Sequence, residues 1–479
     1  MSVRGALRLA ESLVLLALVG HAQPAAATTR RVPAQYPSIQ QAISACSPGD
    51  TVLVSPGSYV ENIWIDRNIT VRSQSGPSVT IIDGGSPANP DHASTVRIDA
   101  GTVEGFDIRN GTGWLNPPGG SQGRYGGGVF VTGFCVVRDN WIHDNHLMGG
   151  QGIGDVLGAA VGTLLRPPFD LISNRIYNNY FDSWSTWVVY ATSPYARVIG
   201  NEFYDHHTPG GGALFEVGEA TATGNVIACN SSVNFVIVGA SGDFKGNTVV
   251  ANWSDELKAA VLASSYDDPY VTVEGNNITY NVGPGLECRQ NERPPFINFT
   301  LGCNNFFANG PGGQIIGACS DAIGRDGNIS VDPEYGRGTG CPSSPGDWCL
   351  AATSPLLAQN SPPGCGLIGA LGVCGPIAVP EVELPRPSVF WAPAPRPNPF
   401  AVRTEIPFHL GEPSAVEVTI YGVMGRKVRT FRGGFLGAGD HELVWDARDD
   451  GGRRAAAGGY VAVIRAGNRE VTRTLLLVW

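Results

Sequence analysis

Asn140-Trp-Ile142-His-Asp-Asn145 is the first of seven copies of a pattern that occupies the middle of this 479-residue chain. Each copy reads Asn-x-Φ-x-x-Asn or Asn-x-Φ-x-x-His, where Φ is an apolar residue. The leading residues are Asn140, Asn174, Asn201, Asn225, Asn247, Asn276 and Asn304. They recur after 22 to 34 residues, a period typical of one coil in a solenoid.

Short apolar stretches that precede the repeats predict the strands of these coils. Residues 128–132, 187–190, 213–217 and 234–238 are rich in β-branched and aromatic residues and are bounded by Gly or Asn. No helical stripe separates them, which disfavours a βαβ sheet. Coils that stack at about 4.8 Å, and that bury their apolar faces only against one another, fit the pattern. We therefore predict an all-β chain whose larger part is a parallel β-helix.

The repeated asparagines are predicted to build the coils. Asn tolerates the left-handed backbone conformation of a sharp corner, and stacked Asn side chains form hydrogen bonds along a ladder. Six of the seven copies close with Asn, whereas the third closes with His206 after Asp205. This exception makes the third copy the first place to look for chemistry.

Composition and the N-terminus restrict the class of protein. The net charge of −10 argues against a nucleic-acid partner. Arg4 and Arg8, an apolar run over 13–19 and small residues up to position 27 predict a cleavable signal peptide over residues 1–27. That run is too short to span a bilayer, and no other segment is long enough. An exported protein is expected.

Ten cysteines agree with an oxidising compartment. Cys341, Cys349, Cys365 and Cys374 lie close together, with three more cysteines not far upstream. The chain has no Cys-x-x-Cys pair, so disulfides that lock the end of the solenoid are favoured over a zinc site.

The N-terminal region resembles a known superfamily. Tyr36-Pro-Ser-Ile-Gln-Gln-Ala-Ile43 predicts a short amphipathic helix with Ser38 as its cap. This stretch and residues 49–62 resemble right-handed β-helix proteins of the pectin-lyase-like superfamily, such as pectin methylesterases and NosD-like repeat proteins. The resemblance implies a right-handed solenoid, which we place at residues 28–375.

The C-terminal region has a different pattern. A Pro-rich stretch over 376–397 predicts a linker, and residues 398–479 contain strictly alternating stretches typical of a small antiparallel Ig-like β-sandwich. Asn398-Pro-Phe, the segments 420–426 and 445–452, and Gly458-Gly-Tyr460 resemble a FlgD-type Ig-like domain and the type IX sorting domains of exported bacterial proteins. The basic ending that is frequent in sorting signals is missing, so sorting and anchoring both stay open.

The superfamily resemblance implies polysaccharide chemistry, with Ca²⁺ as a possible cofactor. Ca²⁺ takes six to eight oxygen ligands, whereas the predicted coil register aligns Val131, Thr192, Glu216 and Val238, only one of which is a carboxylate. No metal or other cofactor is therefore predicted. The catalytic segments of pectin methylesterases and polygalacturonases are also not found in the chain.

One local concentration of polar residues is a candidate active site. The register places Asp144, Asn178 and Asp205 in one column, with the two carboxylates about 10 Å apart across two coils, close to the separation in inverting glycosidases. Asp is also a natural turn former at such a corner. The candidate catalytic residues are Asp144, Asp205 and His206, and the candidate substrate-binding residues are Trp114, Tyr125, His143, His207 and Glu216.

Three functions are compatible with these observations. The first is a non-catalytic exported or cell-surface β-helix that binds an extracellular polysaccharide or another surface component. The second is a polysaccharide lyase or glycoside hydrolase that acts on an acidic glycan near Asp144, Asp205 and His206. The third is a structural component of a surface layer. Sparse carboxylates on the strand faces favour the first, since fold analogy alone does not establish an activity.

Overall fold

A computed structural model describes most of the chain beyond the proposed signal peptide. It covers residues 27–478 except 116–122, 148–155, 165, 182–186, 192, 209–214, 217–219, 233–236, 239–241, 255, 265–269, 292–295, 338–340, 342–347, 375–389, 393–394, 396–397, 399, 411–413, 423–425, 438 and 468. The chain divides between Gly375 and Pro376 into two compact units. The signal peptide predicted for residues 1–27 lies outside the described residues except for Ala27.

Three long parallel sheets form the first unit, and each coil contributes one strand to each sheet in turn. The strands of sheet 1 are Thr29–Val32, Thr51–Val54, Thr70–Ser73, Gly101–Glu104, Cys135–Arg138, Phe169–Ile172, Arg197–Ile199, Thr221–Thr223, Asp243–Lys245, Tyr270–Glu274 and Asn298–Gly302. The strands of sheet 2 are Gly57–Val60, Thr80–Asp83, Asp107–Arg109, Trp141–His143, Arg175–Tyr177, Glu202–Tyr204, Val226–Ala228, Thr248–Val250, Asn277–Thr279 and Asn305–Phe307. The strands of sheet 3 are Ile63–Ile65, Val96–Ile98, Val129–Val131, Val161–Thr163, Val189–Tyr190, Phe215–Glu216, Ile237–Val238, Val261–Ala263, Leu286–Cys288 and Ile315–Gly317.

Three short sheets lie on the coils. One has the strands His92–Ala93, Gly113–Leu115, Arg124–Tyr125 and Val156–Leu157. A second pairs His146–Leu147 with Tyr180–Phe181, and a third contains His207–Thr208, Ser231–Ser232 and Trp253–Ser254. The predicted fold class, a right-handed parallel β-helix followed by an antiparallel sandwich, is confirmed.

The core of the solenoid is filled by the inward residue of each alternating strand, and its N-terminal end is covered by the predicted helix. That helix spans Ile39–Ser44, with the Ser38 side chain accepting a hydrogen bond from the backbone N–H of Gln41. Ile39, Ala42 and Ile43 are buried against the first coils. Such a cap is needed because the first coil has no neighbour to cover its apolar interior.

Two internal ladders join successive coils, as the Asn repeat predicts. The leading Asn residues form the first ladder, and the closing residues of the copies form the second: Asn145, Asn179, His206, Asn230, Asn252, Asn281 and Asn309. In the first ladder the backbone N–H of each Asn donates to Oδ1 of the Asn one coil later, from Asn140 to Asn174 (3.0 Å) and onward to Asn328. Each Nδ2 also donates to a backbone carbonyl of the preceding coil. Since buried backbone groups must be paired, these side chains satisfy the backbone at the corner of each coil from Asn140 to Asn328.

The corners themselves differ from the prediction in one respect. The left-handed conformation is taken by the residue before each ladder Asn and not by the Asn. Positive φ angles occur at Asp139, Ser173 and Cys303 before the first ladder, and at Asp144, Asn178, Asp205, Cys229, Ala251, Tyr280 and Ala308 before the second. Turning the chain at the preceding residue leaves the Asn side chain free to point inward.

The end of the solenoid is locked by a disulfide-linked closing segment, residues 329–374, as the cysteine spacing predicts. Four disulfides join Cys229 to Cys341, Cys288 to Cys319, Cys303 to Cys365 and Cys349 to Cys374. Trp348 packs on Val226, Ala228 and Val250 of sheet 2, so this segment covers the C-terminal half of that outer face. Four disulfides are consistent with an extracellular protein.

The second unit is an antiparallel sandwich. One sheet contains Phe390–Trp391, Thr404–Leu410 and Gly439–Trp445, and the other contains Ser414–Gly422, Lys427–Leu436, Gly458–Ala466 and Arg469–Leu477. Its first strand, Phe390–Trp391, lies inside the stretch predicted as a linker, upstream of the predicted boundary at residue 398. In the described part of the chain, no helix is long and apolar enough to cross a membrane.

Candidate functional site

The two candidate catalytic carboxylates occupy the predicted corner column. Asp144 and Asp205 take left-handed φ angles of 53° and 56°, with Asn178 between them on the intervening coil. The strands before them pair His143 with Tyr177 and Tyr177 with Tyr204, which fixes this alignment. Asn178 donates a side-chain hydrogen bond to Asp144. Asp144 is therefore both a corner residue and a hydrogen-bond acceptor within the column.

His206 belongs to the interior of the solenoid and not to this surface. Its side chain is 1 % exposed and takes the place of an Asn in the second ladder. The backbone N–H of Asn179 donates to Nδ1 (3.2 Å), Nε2 faces the carbonyl of Ile176 (3.1 Å), and the backbone N–H of His206 donates to Asn230. An imidazole so enclosed cannot reach a bound glycan, because backbone atoms of adjacent coils surround it. The placement corrects the expectation that His206 faces the same site as Asp144 and Asp205.

His143, which is predicted to bind substrate, lies in a charged cluster on the outer face of sheet 2. Its Nε2 is 2.9 Å from Oδ1 of Asp107 and its Nδ1 is 2.9 Å from Oδ2 of Asp144. Burial lowers the pKa of His143, but hydrogen bonds and charge from Asp107 and Asp144 outweigh it and raise the pKa to about 9. The imidazole is therefore a cation at neutral pH, and it is unsuited to act as a general base.

An aromatic stack continues from His143 along the same face. The ring of His143 stacks on Tyr177 at 4.5 Å, and Tyr177 stacks on Tyr204 at 5.0 Å. Burial raises the pKa of both tyrosines. Sequence inspection misses Asp107, Tyr177 and Tyr204, since each lies at least one coil from His143 in the chain. The repeat register that aligns Asp144, Asn178 and Asp205 also places the two tyrosines in the column of His143, and that column is the signal that could have found them.

A second cluster lies on the outer face of sheet 3, where Trp114 meets two residues that the sequence analysis does not select. The guanidinium of Arg97 lies 4.4 Å from the ring centres of both Trp64 and Trp114. Trp64 is 43 % exposed, and His92 stacks on Trp114 at 3.9 Å. Trp64, Arg97 and Trp114 together are called the Trp–Arg platform below.

Asp99 fixes the Trp–Arg platform. It accepts hydrogen bonds from Nε of Arg97 (2.9 Å), from Nε1 of Trp64 (2.8 Å) and from the hydroxyl of Thr132. These bonds hold the arginine in the plane that stacks on both indoles. The platform therefore combines a partly exposed Trp64 ring with a preorganised cation, and the cation–π contacts are made within the protein.

The local sequence carries a signal for this platform. In Ile63-Trp-Ile65 and Val96-Arg-Ile98 the outer residues are buried in the core, so the central Trp64 and Arg97 face outward on neighbouring strands. Tyr125, predicted to bind substrate, is instead buried and packs on Phe130 at 5.7 Å. It supports the platform from below and offers no ligand-facing ring.

Glu216 lies on the same sheet, in a register that differs from the predicted one. It pairs with Tyr190 and Val238, and Val131 pairs with Thr163, whereas Thr192 lies outside the described residues. Only the Glu216–Val238 pairing is confirmed. Burial raises the pKa of Glu216 to about 7. His207 begins the short strand His207–Thr208, whose backbone pairs with Ser231–Ser232.

Metal-binding groups are not assembled at any of these places. Within the described ranges, no three His, Cys, Asp or Glu side chains converge in a way that could hold a metal ion. Asp107 and Asp144 are in contact with His143, and Asp83 is in contact with Arg109.

Comparison with known proteins adds one family match. Residues 402–470 match the model of the FlgD Ig-like domain. No curated protein matches the chain. Two structures of pectin methylesterase from Aspergillus niger, in a penultimately deglycosylated and a deglycosylated form, align at 13 % and 12 % identity with TM-scores of 0.30 and 0.26. Each alignment covers 68 % of this chain and 97 % of the other chain. The fold assignment rests on the sheet register alone.

Proposed function

We propose that this chain is an exported, non-catalytic glycan-binding protein and that the Trp–Arg platform is its binding site. The observation that carries the proposal is the half-exposed Trp64 held against Arg97 by Asp99. An indole face packs against the apolar face of a sugar ring, while the guanidinium and the Asp99 carboxylate lie at hand for hydroxyl groups. Little conformational entropy is lost on binding, because stacking and hydrogen bonds already fix these side chains.

The charges on the outer face of sheet 2 support binding over catalysis. General acid–base catalysis by a pair of carboxylates needs one protonated and one ionised group at working pH. Asp144 is instead in contact with a cationic His143 and accepts a hydrogen bond from Asn178. Both contacts engage the Asp144 carboxylate within the protein, which supports a structural role for it over a catalytic one.

The two ends of the chain extend the proposal to location. We place the protein outside the cell, exported by the signal peptide over residues 1–27, with an extracellular polysaccharide or cell-surface component as its partner. The FlgD Ig-like match over 402–470 supports a bacterial exported protein in which the C-terminal unit acts in sorting or anchoring. The four disulfides agree with this location.

A glycan array followed by affinity electrophoresis on the purified protein tests the binding site. We expect retardation by a subset of polysaccharides, and a loss of roughly tenfold or more in affinity for Trp64→Ala, as for aromatic anchors in other interfaces. Trp253→Ala is the matched control, because Trp253 is also about half exposed (53 %, against 43 % for Trp64) but lies on the short sheet that contains His207–Thr208. Equal binding by wild type and Trp64→Ala would refute the platform as the site.

The alternative function, a carbohydrate-active enzyme, keeps one supporting observation. Asp144 and Asp205 stand in one corner column two coils apart, which corresponds to about 10 Å. Release of reducing ends or of unsaturated products from any bound polysaccharide, abolished by Asp144→Asn and Asp205→Asn, would establish this alternative. We expect no such release, and binding unchanged by either substitution.

A further inference from the structure

A row of exposed aromatic side chains follows the edge of the solenoid at which the chain enters sheet 1. Phe134, Tyr195 and Tyr270 are 68 %, 75 % and 65 % exposed. Each precedes or begins a sheet 1 strand: Cys135–Arg138, Arg197–Ile199 and Tyr270–Glu274. None of these residues belongs to the Trp–Arg platform or to the His143 cluster.

The sheet register places these rings in one line parallel to the solenoid axis. Cys135 pairs with Phe169, Asp170 with Arg197, and Asp243 with Thr272. Extending the register by one or two residues toward the N-terminus of each strand places residues 134, 195 and 270 in one column of the solenoid. Tyr195 follows Phe134 by two coils and Tyr270 follows Tyr195 by three, so the axial separations are about 10 Å and about 14 Å.

The spacing distinguishes the row from a protein-docking patch. A protein interface needs a contiguous apolar area, whereas these rings are separated by whole coils and have polar neighbours. Arg197, two residues after Tyr195, is held by Asp170 through Nε–Oδ1 (2.7 Å) and stays more than half exposed. Asn298 is exposed and pairs directly with Tyr270 on the next coil. Each of these tyrosines therefore has a hydrogen-bonding side chain beside it.

We infer that this row, Phe134, Tyr195 and Tyr270, binds an extended polysaccharide chain that lies parallel to the solenoid axis. The inference rests on the proposed function, because it assumes that the ligand is a glycan. An extended sugar chain presents ring faces at regular intervals with hydroxyl groups between them, which matches separated aromatic rings with polar neighbours. Contacts at several rings on one rigid edge act as linked sites, so affinity rises with the length of the chain.

Chain-length dependence tests the row separately from the platform. Affinity is measured by calorimetry for a glycan identified on the array, as the full polysaccharide and as fragments shorter than the roughly 14 Å between Tyr195 and Tyr270. We expect the double variant Tyr195→Ala/Tyr270→Ala to lose at least tenfold in affinity for the polysaccharide. Its affinity for the short fragments should equal that of wild type. Phe435→Ala, an equally exposed aromatic residue of the second unit, is the matched control and should change neither value.

The outcomes separate the two proposals. If short fragments bind and Trp64→Ala abolishes that binding, but the double variant keeps full affinity for the polysaccharide, the aromatic row is refuted and the proposed function stands. If neither fragments nor polysaccharide bind the wild-type protein, the proposed function fails and the inference fails with it. Thermal unfolding of each variant verifies folding, and little change is expected for residues this exposed.

Discussion

His206 and His143 lie two coils apart at the same corner of the solenoid, one on the inside and one on the outside. His206 is inside, where it takes an Asn position and serves the backbone of Asn179 and Ile176. His143 is outside, between Asp107 and Asp144, where it carries a charge. The same side chain therefore acts as a backbone partner in one place and as a buried cation in the other.

This comparison teaches that position relative to the ladder decides the role of a residue more than its type. Inward positions are constrained by backbone groups that must be satisfied in every coil. Outward positions are constrained only by neighbours one coil away, which differ from coil to coil. We therefore expect inward substitutions to act on stability at every pH, and outward substitutions to act within limited pH ranges or on binding.

The largest effect is expected for Asn225→Ala in the first ladder. Oδ1 of Asn225 accepts hydrogen bonds from the backbone N–H and Nδ2 of Asn201, and its Nδ2 donates to the carbonyl of Val198 and to Asn247. Removing the amide leaves buried backbone groups unpaired, at a cost of about 3–5 kcal/mol. The midpoint of urea unfolding measures this. Asn178→Gly, which removes an Asn from the corner next to the ladder, is the control and should cost far less.

The next largest effect is expected for His143→Asn, and it should depend on pH. The pKa of His143 is raised to about 9 in the folded protein, above its usual value near 6.5. The stabilisation from its charge is therefore fully present below about pH 6.5 and is lost as pH rises through about 9. We expect a loss of about 2–3 kcal/mol at pH 6 for the variant, and a much smaller difference at pH 10.

Urea unfolding of wild type and His143→Asn between pH 6 and pH 10 measures this dependence. The control is His441→Asn in the second unit, where the imidazole faces the carbonyl of Gly437 and stacks on Phe408 at 5.5 Å. A difference between wild type and His143→Asn that stays constant across this range would mean that the imidazole contributes by packing and not by charge.

The sequence predicts the inward half of this comparison well and the outward half poorly. The Asn period repeats a single backbone requirement, so it identifies the ladders, the strand order and the fold. The pairs Asp107–His143 and Trp64–Arg97 occur once each, and they depend on a register that shifts by one or two residues easily. The shift from Thr192 to Tyr190 beside Glu216 is such an error, and it follows from coils of unequal length.

His206 is the residue at which sequence reasoning and structure differ most. An exception in a repeat suggests function when only the sequence is known. The structure instead gives His206 the same contacts that Asn makes, because Nδ1 accepts from a backbone N–H as Oδ1 does and Nε2 reaches a carbonyl as Nδ2 does. An exception in residue type therefore need not be an exception in hydrogen bonding.

A pair of substitutions at His206 turns this equivalence into a measurement. His206→Asn restores the ladder residue and should change stability by about 1 kcal/mol or less, whereas His206→Ala removes the acceptor for Asn179 and should cost about 2 kcal/mol. Glycan binding should be unaffected by His206→Asn. Loss of binding or of any turnover in a stably folded His206→Asn protein would contradict the purely structural role.

The smallest effect is expected for Glu216→Gln on the outer face of sheet 3. Burial raises the pKa of Glu216 to about 7, so the folded protein holds this proton more tightly than the unfolded chain does. Wild-type stability should therefore fall as pH rises from about 4.5 to about 7, and Gln, which cannot ionise, should remove that fall. We expect the free energy of unfolding of the variant to equal that of wild type at pH 4 and to exceed it by about 1 kcal/mol at pH 8, after allowance for partial exposure.

Glu287→Gln is the matched control, since Glu287 lies three coils further along the same outward column and pairs with Arg289. If only Glu216→Gln is more stable than wild type at pH 8, Glu216 belongs with His143 among the outward groups whose contribution to stability depends on pH. If the two variants change stability equally, burial on sheet 3 does not destabilise an ionised carboxylate.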